Sequence, residues 1–433
     1  MERSGFRARW RRHAIDLTPL RDSRDFRLLW LGELVSEAGS QVALVAVFVQ
    51  VFALTHSSAA VGLVGLVQLM PLALAALLGG PIIDAVDRRR LLLWAQCGQA
   101  GASGLLLTGA VIGHPPLGLI YAGAGLVAGF GGMSLSTRSA MTPTLVRSEQ
   151  LASALSLNQV MWNTTLIAGP ALGGVLIAQL GLSWAYGVDV VSFGATIAAC
   201  LLMAAHPPDR DDAAPRATSL LASGWREVTE GFRFLKGKRV LQSTFYVDLI
   251  AMIFGMPRAL FPVLAATRFG GGSEIVGVLF SAAALGALLG ALTGGWVRRV
   301  RRQGRAVLWA VFVWGLGIIG FGLSGRSLVL ALACLAVAGA ADVISAVFRG
   351  TILQQNTPDD LRGRLSGLHI LVVTGGPRVG DFEAGLVASA FTPTVSVVSG
   401  GLLCVGGVVL FALVVPELAR YRPDDVALSE PSG

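Results

Sequence analysis

The chain has 433 residues, of which 54% are hydrophobic and 14% charged, with 55 glycines, and this mixture excludes an ordinary soluble globular protein. Its net charge of +8 comes largely from arginines lying between apolar stretches. Membrane topology and contact with anionic headgroups account for that charge, so a nucleic-acid partner is not needed. Cys97, Cys200, Cys334 and Cys404 fall in four different apolar stretches, and His13, His56, His114, His206 and His369 are scattered. Neither a disulfide framework nor a metal site nor a cofactor is therefore expected.

In chain order, residues 1–26 open with seven arginines and no apolar core, which reads as a cytoplasmic lead-in rather than a signal peptide. A helix needs about 20 apolar residues to cross a bilayer. Such stretches run over 27–53, 58–83, 91–112, 116–137, 152–180 and 182–205, giving a first six-helix bundle at 27–205. A polar linker at 206–239 begins His206-Pro207-Pro208-Asp209. It then turns periodic in Trp225, Val228, Phe232 and Leu235, the pattern of an amphipathic helix on the inner surface. A second bundle at 240–415 holds stretches 240–266, 274–297, 306–324, 327–348, 366–391 and 393–415, and a tail covers 416–433. Of the 34 Lys and Arg residues, all but Arg258, Arg268, Arg326 and Arg378 lie in the termini or beside the loops after even-numbered spans. Basic residues stay on the cytoplasmic side, so both termini are expected there. The fold class is an all-α polytopic membrane protein with 12 transmembrane helices in two six-helix pseudo-repeats.

A shift of 215 residues overlays the halves. Glu33 meets Asp248, Gly79-Gly80 meets Gly294-Gly295, Thr142-Pro143 meets Thr357-Pro358, and Arg147 meets Arg362. Parallel six-plus-six repeats build carriers whose substrate path lies between the halves. Lys236 and Lys238 are the only lysines and neither follows a phosphate-cradling glycine loop, which argues against ATP hydrolysis. No extramembrane segment is large enough for an enzyme domain. A non-transporting scaffold or sensor is the alternative of another class.

After the second span stands Gly80-Pro81-Ile82-Ile83-Asp84-Ala85-Val86-Asp87-Arg88-Arg89-Arg90. Here the chain resembles the major facilitator superfamily, whose signature at this place is Gly-x-x-x-Asp-Arg-x-Gly-Arg-Arg/Lys. Gly80, Asp84, Arg88 and Arg89 match, while Ala85 replaces a basic residue and Asp87 a glycine. The resemblance implies a cytoplasmic gate at these residues. The fifth span contains Gly169-Pro170-Ala171-Leu172-Gly173-Gly174, similar to the Gly-Pro-x-x-Gly-Gly of the superfamily's exporters, which implies efflux by antiport. Tight helix packing explains the same glycines. The stretches Leu279 to Gly295 and Ile344 to Leu368, and Phe391-Thr392-Pro393, are similar to the enterobactin-exporter-like branch, which mixes siderophore, macrolide and multidrug exporters.

Ionised groups at membrane depth are costly unless paired, hydrated or protonated, so each is a functional candidate. Glu33 and Glu37 share a face of the first span. Asp189, Asp248, Asp342, Asp381 and Glu383 follow in spans 6, 7, 10 and 11, with Arg258 and Arg378 as buried cations. Glu37 and Asp381 lie nearest the midplane and lead as proton sites. Asp189 reads also as a hydrogen-bonding strut, Asp342 as a partner of Arg349, and Glu33 as a partner of an N-terminal arginine. Arg138 falls at the cytoplasmic end of span 4, so the buried arginine usual in the middle of that helix is missing. Trp162, Phe193, Phe245, Tyr246 and Phe254 lie near the expected cavity.

These observations predict a monomeric secondary transporter of the bacterial inner membrane that exports a siderophore or drug-like small molecule by proton antiport and alternating access. Its expected partners are that small molecule, protons and membrane lipid. Import or facilitated diffusion of a small metabolite is the alternative direction.

Overall fold

The computed structural model describes residues 16–204, 229–230, 233–293, 300–358 and 362–421. Serine, threonine and aspartate caps start several of its helices by accepting a backbone N–H two or three residues into the first turn. Ser23 accepts from Phe26, Ser57 from Ala60, Asp87 from Arg90, Ser327 from Leu330 and Thr392 from Val395. The spans are α1 (Arg24–Thr55), α2 (Ser58–Ala85), α3 (Arg88–Ile112), α4 (Leu117–Leu145), α5 (Leu151–Leu180) and α6 (Leu182–Leu202). Then come α7 (Arg239–Thr267), α8 (Ser273–Thr293), α9 (Gln303–Gly322), α10 (Leu328–Gln355), α11 (Arg362–Ala390) and α12 (Pro393–Val414). Ten of these are long and apolar enough to cross a membrane. The other two, α3 and α11, have 25 and 29 residues, but Gln96 and Gln99 in the first and Arg378, Asp381 and Glu383 in the second dilute their apolar character. The expected linker helix lies largely outside the described residues.

Two spans run past the apolar stretch that predicted them. Span 4 was expected to end at 137 and span 10 at 348, yet α4 continues to Leu145 and α10 to Gln355. Arg138 and Arg349 therefore sit inside helices, not in loops. Their charges are met by carboxylates on neighbouring helices, which makes the extra turns stable at membrane depth.

The internal repeat has two registers rather than one. Helices α1, α2 and α3 start 215 residues before α7, α8 and α9, whereas α4, α5 and α6 start 211 residues before α10, α11 and α12. The shorter α9, 20 residues against 25 for α3, absorbs the difference. Thr142 and Arg147 consequently do not correspond to Thr357 and Arg362; those matches are one helical turn out of register.

Glycines set how closely helices approach. A Cβ on Gly32 would stand 3.0 Å from the Thr196 Cα, and one on Gly173 3.0 Å from the Val42 Cα, so α1 lies tight between α6 and α5. Between the halves there are two seams. In one, Gly174 of α5 meets Gly277 of α8, where a Cβ on either would be 3.1 Å from the other's Cα. In the other, Gly62 of α2 meets Gly385 of α11 at 3.2 and 3.0 Å. The seams are repeat mates: Gly62 and Gly277 differ by 215, Gly174 and Gly385 by 211. Ala59 N–H donates to Ser389 Oγ (2.9 Å), and Ser281 Oγ to the Ile167 carbonyl (2.6 Å), across the same two joints. Phe48 of α1 packs on Phe280 of α8 with ring centroids 5.9 Å apart. The two seams and the Phe48–Phe280 pair lie toward the end of the molecule opposite the termini, where α1 turns into α2 and α7 into α8.

Candidate functional site

In the first half, the close packing of α1 on α5 and α6 turns the Glu33 and Glu37 face toward α4. Arg138 Nη1 pairs with Glu33 Oε2, and its Nη2 stands 4.0 Å from Glu37 Oε2. The Gln96 amide of α3 donates to Glu33 Oε1 and to Ser134 Oγ, both at 3.1 Å, while Gln41 donates to Glu37 Oε1 at 3.0 Å. Glu33 is only 3% exposed, so its charge depends on Arg138. Among the described residues its cation is thus Arg138 of α4, not an N-terminal arginine. Arg138 lies seven residues before the end of α4, inside the helix, and reaches Glu33 of α1.

The second half repeats the arrangement. Arg349 Nη2 of α10 lies 2.8 Å from Asp248 Oδ1 of α7 and 4.0 Å from Asp342 Oδ1, and its Nη1 donates to Ser345 Oγ at 3.0 Å. The Asp248 contact is an ion pair without hydrogen-bond geometry, since neither carboxylate oxygen accepts a hydrogen bond among the described residues. His369 of α11 stacks edge-on against Phe245, centroids 6.1 Å apart, beside this pair. Glu33 and Asp248 differ by 215 and Arg138 and Arg349 by 211, the two registers of the repeat. Each half therefore holds one guanidinium between two carboxylates.

A third cluster surrounds a break in α7. The helix stops at Phe254, resumes as a 3₁₀ turn at Arg258–Leu260 and finishes as Phe261–Thr267. Backbone groups freed at membrane depth must find partners, each lost bond costing several kcal/mol. Trp314 Nε1 of α9 donates to the Gly255 carbonyl (3.0 Å), and Asp381 Oδ1 accepts the Ala259 N–H (3.2 Å). Asp381 Oδ2 also takes Arg258 Nη2 at 2.7 Å. A Cβ on Gly380 would lie 2.5 Å from the Met252 carbonyl oxygen, so only glycine lets α11 approach the break. Asp381 is thereby a cap as well as a buried charge. Replacing it by Ala is expected to cost about 3–5 kcal/mol, because Arg258 and the Ala259 N–H both lose their partner. Thermal unfolding in detergent checks this, with Asp381→Asn expected to lose less.

The remaining candidates divide. Asp189 of α6 is fully buried and accepts from Ser40 Oγ (3.3 Å) and Ser103 Oγ, joining α6 to α1 and α3, with no cation paired to it among the described residues. Glu383 is two residues beyond Asp381, hence on the opposite face of α11, and joins none of the three clusters. Gly169, Pro170, Gly173 and Gly174 form the α5 side of a seam: Gly169 and Gly173 receive α1, and Gly174 receives α8. In the 211 register Pro170 corresponds to Asp381, so the α11 cluster is the repeat mate of the α5 motif.

At the expected gate, Gly80 is exposed, and the Asp84 side chain lies outside the described residues. Arg88 Nη1 donates to the Ala140 carbonyl of α4 (3.4 Å), and Arg89 to the carbonyls of Cys200 and Leu201 at the end of α6. All three described bonds lie within the first half. Of the aromatic residues expected near the cavity, Phe193 is wholly buried inside the first bundle, and Tyr246 is 53% exposed beside Phe411. Sequence reasoning passed over Gln96 and Gln41, which complete the first network, and paired Arg349 with Asp342 alone; the 211 register carries the signal that pairs Arg349 with Arg138.

A family model described as transmembrane secretion effector matches residues 14–430. The enterobactin exporter EntS of Shigella boydii serotype 18 is 31% identical over 423 residues, covering 96% of this chain and 98% of that protein. The enterobactin exporter EntS of Escherichia coli O1:K1 is likewise 31% identical over 423 residues. Among solved structures, a bacterial homologue of the lysosomal transporter Spinster, inward-facing and unoccupied, superposes with a TM-score of 0.67 at 17% identity, covering 94% of this chain and 98% of that one. A bacterial homologue of the iron transporter ferroportin, also inward-facing, gives 0.66 at 18% identity, covering 92% and 99%. These two likenesses establish the fold as an all-α polytopic membrane fold.

Proposed function

The chain belongs to the transmembrane secretion effector family, and from that premise we propose that this membrane transporter exports a siderophore or drug-like small molecule in exchange for protons. The observation that carries the coupling is the pair of networks in which one arginine faces two carboxylates. One guanidinium neutralises one carboxylate, so each network keeps an uncompensated negative charge that an added proton removes. Glu37 is the member best suited to exchange protons, since it is half-buried and 4.0 Å from Arg138, whereas Glu33 is sealed by Arg138 and Gln96.

With the termini in the cytoplasm, the two seams lie at the outer end and hold that side closed, the arrangement from which cargo is taken up from inside. In the cycle, cargo enters from the cytoplasm, the halves rock, and cargo leaves outward. A proton from the more acidic exterior then neutralises the acid and permits return. The sign follows: the site gains its proton facing outside and loses it facing inside, so acidifying the exterior speeds the return limb of export. Siderophore cargo is favoured by the named activity of the similar exporters, both called enterobactin exporters.

Everted membrane vesicles loaded by respiration test the coupling. The wild type is expected to accumulate labelled cargo when the vesicle interior is acid. Glu37→Gln is expected to retain downhill exchange and lose about ten-fold or more of the pH-driven accumulation. A Glu37→Gln transporter with full pH-driven accumulation excludes Glu37 as the proton site.

A further inference from the structure

The three intramembrane charge clusters do not balance alike. Arg138 has Glu33 and Glu37, and Arg349 has Asp248 and Asp342, each one cation to two anions. The third cluster is reversed: two arginines, Arg258 and Arg378, share the neighbourhood of a single carboxylate, Asp381, which is committed to Arg258 and to the Ala259 N–H. Arg378 has no carboxylate within ion-pair distance among the described residues. Its Nη1 donates only to the Thr374 carbonyl in its own helix, and its Nε is buried without a partner. The Nε of Arg258 is also buried and unpartnered. Glu383 is turned to the far face of α11 and does not relieve the surplus.

An uncompensated guanidinium at membrane depth is costly and is kept where it meets a ligand. Arg378 is also well placed for that task. It lies on α11 where the backbone abuts the opposite half, a Cβ on Gly65 of α2 falling 2.5 Å from the Arg378 carbonyl oxygen. A group bound there is held at the joint that opens and closes between the halves. We propose that Arg378, assisted by Arg258, binds an anionic oxygen group of the transported molecule, such as a carboxylate or phenolate. A guanidinium recognises such a group through charge-assisted and often bidentate hydrogen bonds. This assignment rests on the reading that cargo passes between the halves, and it makes the second half the selector of cargo charge while the acid-rich networks serve protons.

Binding to purified full-length protein separates this proposal from the export reading, because no transport is required. The probes are matched pairs of equal shape, salicylate against salicylamide, benzoate against benzamide and 1-naphthoate against 1-naphthamide, titrated by calorimetry into protein in phosphatidylcholine nanodiscs. The expected result is an anion preference of about ten-fold or more for at least one pair, abolished in Arg378→Gln and retained in Arg378→Lys. Arg326→Gln, in the α9–α10 turn, is expected to keep it. Equal binding of anion and amide in all three pairs overturns the proposal, as does an Arg378→Gln protein that keeps the preference. A preference that vanishes when phosphatidylglycerol is added to the nanodisc assigns the site to a lipid headgroup and overturns its assignment to cargo. Failure of export with the anion preference intact overturns the transport reading and leaves the anion site standing.

Discussion

Replacing Arg138 by Met is expected to destabilise the protein by about 3–5 kcal/mol and to abolish proton-driven transport, because it leaves Glu33 buried without a cation. Glu33 is 3% exposed, and its remaining described donor is the Gln96 amide, which cannot neutralise a carboxylate. The measurement is thermal unfolding in detergent together with vesicle accumulation. The double variant Glu33→Gln with Arg138→Met removes both members of the pair, so it is expected to regain most of the lost stability and none of the coupling. That contrast separates a strut from a coupling site. A protein that tolerates Arg138→Met in both assays has neither.

A leucine at Gly62 is expected to leave both bundles folded and to stop the cycle. The glycine lies between the halves, not inside one, and even a Cβ there would come 2.5 Å from the Asp381 carbonyl oxygen. Overpacking of this kind costs about 1–3 kcal/mol or more, enough to reduce the closed form about ten- to hundred-fold relative to the open one. The readout is a disulfide between cysteines placed at Ala59 and Ser389, whose backbone and side chain now hydrogen-bond at 2.9 Å. The crosslink is expected to form in the parent and to be lost in Gly62→Leu. Gly187→Ala serves as the comparison, since a Cβ there meets nothing within 4 Å and transport is expected to persist.

The twelve spans were legible because the bilayer demands long apolar helices. What the apolar signal hid was its own polar margins. Arg138 looked like a loop residue because Ser136, Thr137 and Ser139 surround it, and only Glu33 across the helix gap makes its position tolerable. Arg349 was read as a partner of Asp342 near the surface, yet the closer carboxylate is Asp248 on another helix. A single repeat offset similarly concealed the pairing of those two arginines, because α9 is shorter than α3 and α10 starts four residues sooner after α9 starts than α4 does after α3. The charge cluster of α11 stood out in the sequence, but its meaning depended on the break in α7, where Gly255, Met256 and Pro257 interrupt an otherwise apolar stretch. Asp381 caps that break, and no periodicity along α11 reveals a partner on α7.

The most direct test of proton-driven export compares intracellular and secreted small molecules by mass spectrometry under iron limitation. The strains are a deletion of this chain in its native host, its parent, and the deletion carrying either the wild type or Glu37→Gln. The predicted result is a siderophore-class compound retained inside the deletion strain, released again with the wild type and retained with Glu37→Gln. Identical distributions in deletion and parent across all detected compounds contradict the account.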